Sequence, residues 1–480
     1  MKNDKWITRH GLTFIVGWLV MPVILAQSFE FETRVGFPDF QYMEEPGGAN
    51  NDYVGEVFIL SDDYPDILPA LDPEVQKILA IDYQTDPLAY VMAVRDYVFE
   101  GNIHGGDVSK DFALQNNTAN YDWYHVPWQH WGITGREGYH GLTREGPLGM
   151  RTLGPEQKSA SSAYAVGFYN GPGGYTIGKV WPSSGQGPDL SSMISKEGFP
   201  EGAVVAKFLF TVLDERQVPW LTNPLQWNGY IYDCDMPFSA ACAKPPESPS
   251  KRATQKLNLL QMDIMVKDSR ATESAEWVFG TFTYNGNLPA NSSYGEACAS
   301  ISGAGKNWCN LMPVGVMWGN DPTINHTFIN ENPTQTVINP ELKQTWINPD
   351  PAMPAMHLGF NSRLNGPADN PSSSCMSCHS TGQYPSVSAI MPWLSEPAIP
   401  RPPNQTPAPA DWMHWFRNFK DGENFDQNLV VGFDFSMQLA KSVKNYILYL
   451  NQTQHGKYAL EYWWNKQDYE LSRGSLAPSP

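Results

Sequence analysis

The chain has 480 residues, of which 41 % are apolar, 13 % aromatic and only 17 % charged. That length exceeds one small domain and that apolar content supports a sizeable core, which excludes wholesale disorder. The formal net charge of −18 sets the surface against nucleic acid and anionic lipid headgroups; it would attract a basic redox partner, and solubility alone explains such acidity equally well.

At the N-terminus, Lys2, Lys5 and Arg9 precede an apolar stretch from Leu12 to Ala26, and the chain turns polar at Gln27. A cationic start, a short apolar run and a small final residue make the secretory-signal pattern. Residues 1–26 are therefore expected to be a signal peptide, and the mature chain to be periplasmic or secreted. The stretch is shorter than the ~20 residues that span a bilayer, and no later segment is apolar enough, so no transmembrane span is expected after signal removal. An uncleaved anchor is the alternative, since Ile24 is not the small residue preferred two places before Ala26.

Residues up to about Asp52 lack periodicity, and a short strand is predicted at Val54 to Leu60. Two helices follow, opened by Asp72-Pro73 and Asp86-Pro87. Each carboxylate can accept a first-turn N–H, and proline loses nothing at the first helical position. Val91, Val94 and Val98 share one face of the second. From about Trp123 to Trp318 the signal is β. Tyr164–Asn170 and Gly174–Trp181 flank a Gly-Pro-Gly turn and read as a hairpin. Further strands are expected at Ala203–Val212, Leu257–Val266, Trp277–Tyr284 and Val314–Trp318. Strands rich in Val, Phe, Tyr and Trp between Gly/Pro/Asn loops suggest an antiparallel sandwich. Asn320 to Ser374 and Pro397 to Ala410 are Asn- and Pro-rich. A last helix begins near Met437, with Ser436 placed to cap it and Leu439, Val443, Ile447 and Leu450 at helical spacing.

Of the six cysteines, four form two close pairs, Cys234 with Cys242 and Cys298 with Cys309. In an oxidising compartment two local disulfides are the simplest pairing. The other two lie in Cys375-Met376-Ser377-Cys378-His379. Two thiols three residues apart can each form a thioether to a haem vinyl group, and the adjoining His379 supplies an axial nitrogen. Composition alone would give about 0.002 occurrences of this pattern. Zinc would need a fourth ligand, and adjacent Cys378 and His379 chelate one metal awkwardly. A thioredoxin-like CxxC follows a strand, which Pro371-Ser-Ser-Ser is not, and a plain disulfide leaves His379 without a role.

On these residues, 371 to about 455 resemble a mono-haem c-type cytochrome, departing from it in the Pro-rich insert and in lacking a helix just before Cys375. The upstream region resembles uncharacterised bacterial secreted proteins. The resemblance implies one covalent haem c, electron transfer to a redox partner protein, and commonly a downstream methionine as second iron ligand. The expected fold class is α+β: a large β-rich, sandwich-like domain with an early helical pair (27–320), an Asn/Pro-rich linker or wrap (321–370), a small, mainly helical haem domain (371–455) and a tail (456–480).

Met413, in the aromatic run DWMHWFRNF, and Met437, at the start of the last helix, are the leading candidates for the second ligand. Met391, His357, His414 or an open iron are alternatives. An open iron would suit a peroxidase- or oxidase-type haem enzyme. A third class is a ligand-binding β domain with an accessory haem. Trp123–Trp131 (WYHVPWQHW) is expected to be core and loop packing rather than a sugar platform. His104, His125, His130 and His140 match no helical metal pair. Glu137 and Glu145 near His140 read as a solvated loop rather than an acid–base site. No P-loop, GxGxxG or GxSxG signature is present.

Overall fold

The computed structural model describes residues 61–102, 121–129, 142–183, 187–232, 252–289, 292–300, 308–326, 336–387, 406–426 and 431–455. The expected signal peptide, the strand at Val54–Leu60, Cys234, Cys242, Met391 and the tail lie outside these residues.

In chain order, α1 (Pro73–Ala80) and α2 (Pro87–Asn102) are followed by β1 (Trp123–Tyr124), β2 (Thr143–Leu148), β3 (Ser161–Asn170), α3 (Gly171–Val180) and α4 (Ser191–Ile194). Next come β4 (Val204–Thr211), β5 (Gln226–Tyr232), β6 (Arg252–Lys267), β7 (Trp277–Tyr284), α5 (Ser293–Ser300), β8 (Leu311–Met317) and β9 (Thr345–Ile347). The C-terminal part adds α6 (Cys375–His379), β10 (Gln383–Tyr384), α7 (Ala410–Met413), β11 (Val431–Gly432) and α8 (Met437–His455). The fold is α+β.

Among the described residues nine strands form one sheet in the order β1-β3-β4-β6-β7-β8-β9, with β2 also on β3 and β5 also on β6. All its pairings are antiparallel. The expected sandwich is thereby corrected to a single sheet. Every residue of β3, β7 and β8 is buried, because each sheet face is covered by other chain rather than by a second sheet. Helices α1 and α2 cover one face, where Val91, Val94 and Val98 are fully buried with Phe168, Phe208, Met262 and Ile264. Gly280 lets α2 approach: a Cβ there would lie 2.9 Å from Val91 Cγ2. On the other face Tyr169, Val205, Met265, Phe279 and Met317 share a core with Met376, Trp412, Phe416, Phe435 and Leu439.

The expected hairpin at Tyr164–Trp181 is also corrected: its second half is helix α3. Asn170 caps it, its side chain accepting from Gly173 N at 3.3 Å and from Val204 N at 2.8 Å. Pro172 sits in the first turn, where a proline loses no hydrogen bond. The glycines read as a turn serve close packing instead. A Cβ on Gly174 would lie 2.3 Å from the Tyr124 ring.

Helix α1 begins after Asp72, whose carboxylate accepts the Tyr97 hydroxyl at 2.5 Å rather than capping. Asp86 does cap α2, accepting from Ala89 N at 3.1 Å. Ser436 caps α8 through Leu439 N at 3.1 Å. Cys298 and Cys309 are joined as a disulfide, the expected local pairing. No helix among the described residues is long and apolar enough to cross a membrane.

Candidate haem site

The serine run before the motif starts α6. Ser374 Oγ accepts from Ser377 N at 3.1 Å, and Ser377 Oγ accepts from Ser374 N at 2.7 Å, a reciprocal capping box. Ser374 Oγ also donates to Asn320 Oδ1 at 2.8 Å. Cys375 N donates to Leu364 O at 3.0 Å, and Phe360 N to Ser373 O at 2.8 Å, fastening the upstream segment to the helix start.

One helical turn brings positions i, i+3 and i+4 to one face. Cys375, Cys378 and His379 occupy those positions. All three are partly exposed, whereas every other residue from Ser372 to Gln383 is buried. The three groups therefore share one partly exposed helix face while Met376, fully buried, anchors the helix below. Both cysteines are free thiols. Burial, reinforced by Asp263 and Asp369, pushes Cys375 well above the usual thiol range. Burial pushes Cys378 up to about 11.

His379 Nδ1 lies 3.1 Å from the Phe435 carbonyl oxygen. A carbonyl can only accept, so Nδ1 carries the proton and Nε2 keeps its lone pair. Burial lowers the imidazole pKa to about 4, which keeps the ring neutral at physiological pH. Its ring packs 5.5 Å from that of Phe279 on β7. Phe435 and Asp434 both hold positive φ, 67° and 43°, in the left-handed region that side chains avoid.

The sheet face beneath is polar in one place. Lys207, Asp263 and Thr281 lie side by side across β4, β6 and β7. Gln261 Nε2 donates to Asp263 (2.7 Å) and to Asp369 (2.9 Å), so one amide ties two carboxylates together. Thr281 Oγ1 donates to Asp263 Oδ1 at 2.5 Å. Burial, then Asp369, raises the Asp263 carboxyl to about 7. These groups had not been singled out from sequence, although Gln261 and Asp263, two apart in the otherwise apolar LNLLQMDIMV, were the visible sign.

The second-ligand candidates are differently placed. Met437 lies with Sδ 3.7 Å from Thr381 Oγ1, a hydroxyl that also donates to Cys378 O at 2.6 Å. Met413 is partly buried against the core that includes Cys375, and the 3₁₀ turn after it, His414–Phe416, packs against α6. His414 is exposed, with Arg417 Nη1 2.7 Å from its Nδ1. His357 is 5 % exposed, and neither ring nitrogen makes a hydrogen bond of normal geometry. Burial lowers its pKa, opposed by Asp369 and by the backbone of Leu358 and Pro367.

Trp123, His125, Val126 and Trp128 are buried, and His125 Nδ1 bonds Gly167 O at 2.8 Å, so this part of the aromatic run is core. His104, His130, His140 and Glu137 lie outside the described residues, and Glu145 lies on β2. Among the described residues no three His, Cys, Asp or Glu side chains gather as a metal-binding group; haem iron needs none, since the porphyrin brings four nitrogens.

Tested on these observations, the residues fit a covalent haem. Two free thiols share a helical face with a neutral imidazole whose distal nitrogen is uncommitted, and a second buried imidazole, His357, makes no hydrogen bond of normal geometry through either ring nitrogen. Comparison with family models, curated proteins and solved structures returns no match.

Proposed function

We propose that this chain is an exported c-type cytochrome that transfers electrons to a partner protein. One haem c is held by thioethers from Cys375 and Cys378 in the C-terminal segment 371–455, with His379 as an axial ligand. Bound haem supplies one-electron ferric/ferrous chemistry. The observation that carries this reading is the one-sided placement of Cys375, Cys378 and His379 on a capped helix. The Phe435 carbonyl orients the imidazole and sets its tautomer, the second-sphere support that metal-bound histidines need. Met413, Met437, His357 and His414 are the described side chains to which the second axial position can fall.

The cationic, then apolar N-terminus and the Cys298–Cys309 disulfide support a periplasmic or secreted location. The net charge of −18 favours a basic redox partner.

The test is the full chain produced together with cytochrome-maturation machinery. Haem stain should persist after denaturing electrophoresis, and a pyridine-haemochrome spectrum should report one haem c per chain. Cys375→Ala with Cys378→Ala should abolish both. Covalent haem in that double variant, or none in the unmutated chain, refutes the assignment.

A haem enzyme is the second reading. Asp263, Gln261 and Asp369 near the motif favour it, because a carboxyl raised to about 7 can exchange protons beside an iron site. A five-coordinate, high-spin spectrum in the matured protein would select it.

A further inference from the structure

We infer that His357 is the second axial ligand of the iron, so that the haem is held between two histidines; this rests on the cytochrome reading above.

The first observation is an unexplained side chain. His357 is 5 % exposed, and neither buried ring nitrogen makes a hydrogen bond of normal geometry, although the backbone of Leu358 and of Pro367 acts on the ring. Buried polar atoms are nearly always paired, and an orphaned one costs stability that an apolar residue would not. An imidazole kept in such a place is explained by a partner that arrives with the cofactor.

The second observation is position. His357 follows Met356 and precedes Leu358, and both neighbours belong to the core that contains Met376 of the motif helix. The strand of chain it leads into is bonded to the motif through Phe360 N with Ser373 O and Cys375 N with Leu364 O. Gly359 permits this contact, since a Cβ there would lie 2.1 Å from Ser373 O. Asp369 acts electrostatically on His357, Cys375, Cys378 and His379 alike.

The third is that two rivals have other engagements. Met437 Sδ contacts Thr381 Oγ1, two residues along the chain from His379. His414 is exposed and meets the Arg417 guanidinium, which opposes further positive charge there. Met413 retains its place beside the core and is the rival the experiment must separate.

The experiment uses the full, haem-loaded protein and reads optical and low-temperature electron paramagnetic resonance spectra. The unmutated protein should be low-spin with a bis-imidazole signature and no thioether charge-transfer band. His357→Ala should become high-spin, bind carbon monoxide at least tenfold more tightly when ferrous, and return to low spin on adding imidazole. His357→Met should acquire the thioether band and a higher potential, and it covers the case in which the alanine variant does not fold. Met413→Leu, Met437→Leu and His414→Ala should leave the spectrum unchanged. A thioether band in the unmutated protein overturns the inference in favour of Met413 or Met437. A spectrum unmoved by His357→Ala, with or without a change in potential, overturns it too. Failure of the cytochrome reading is distinct: no covalent haem would be present in any of these proteins.

Discussion

Lys267 Nζ lies 2.9 Å from Asp434 Oδ2, and the pair is buried, the two side chains being 3 % and 7 % exposed. Asp434 is also bonded by Trp277 Nε1 at 3.0 Å and Phe199 N at 2.7 Å. It directly precedes Phe435, whose carbonyl holds His379. The end of β6 thus fixes, through the Lys267–Asp434 ion pair, the backbone that orients the His379 imidazole. Burial works against the Lys267 charge, but Asp434 and Asp421 outweigh it and hold the pKa above the usual lysine value.

Removing one partner should therefore be worse than removing both. Lys267→Met strands the buried Asp434 carboxylate and should cost about 3–5 kcal/mol in denaturant unfolding, and Asp434→Asn, which leaves Lys267 only the half-exposed Asp421, should also destabilise. Lys267→Met combined with Asp434→Asn should recover a good part of that loss, because no unpaired charge remains. Strictly additive losses in the double variant would mean that the two residues act independently.

How much of this could be read from sequence depends on range. The motif is contiguous, so its residue types and spacing are visible, and helix spacing alone puts its three groups on one face. β7 was read with the bounds it has, Trp277–Tyr284. The same near-continuous apolar runs argued against alternation, and hence for a sheet covered on both faces, yet they were read as a sandwich. Gly171-Pro-Gly-Gly suggested a turn because the tertiary reason for its glycines, the rings of Tyr169 and Tyr124, is remote or unmarked in sequence. The Gln261 bridge from Asp263 to Asp369, about a hundred residues downstream, and the orphaned His357 are products of long-range packing. No local pattern announces either.

Stability should fall in acid through His125. This side chain is 2 % exposed, and burial lowers its pKa from 6.5 to about 4, partly offset by the Gly167 carbonyl. The unfolded chain takes up this proton near pH 6.5, the folded chain only near 4. The contribution to stability is therefore complete above about 6.5 and is lost as pH falls through that window, by roughly 3 kcal/mol at ~1.4 kcal/mol per unit. Urea unfolding at pH 7 and pH 4.5 should show the unmutated protein losing more stability than His125→Gln. Parallel losses in the two would remove His125 as the cause.

Cys298 and Cys309 close a loop 11 residues apart in sequence. Chain-entropy reasoning assigns such a loop about 3 kcal/mol. Cys298→Ser with Cys309→Ser should lower stability by about that amount, and reduction of the unmutated protein should match it. Non-reducing peptide maps should also show Cys234 bonded to Cys242. A peptide linking the two pairs would rule out that connectivity.

Gly359 offers a positional test of the site. Its φ is −72°, so alanine is allowed by the backbone, and the penalty comes from space alone. The added methyl would stand 2.1 Å from Ser373 O and 3.1 Å from Arg363 O. Backbone atoms cannot move aside as a flexible side chain can. The segment carrying His357 must therefore lift from the motif helix, breaking or lengthening the Phe360 N to Ser373 O bond of 2.8 Å. Overpacking of this kind costs about 1–3 kcal/mol. If His357 is an axial ligand, the haem-loaded Gly359→Ala protein should show a mixed spin state and faster carbon monoxide binding, with covalent haem retained at Cys375 and Cys378. Added imidazole should restore the low-spin spectrum without restoring the lost stability. A variant that loses stability while its haem spectrum stays fully low-spin would detach this segment from the iron, and with it the role of His357.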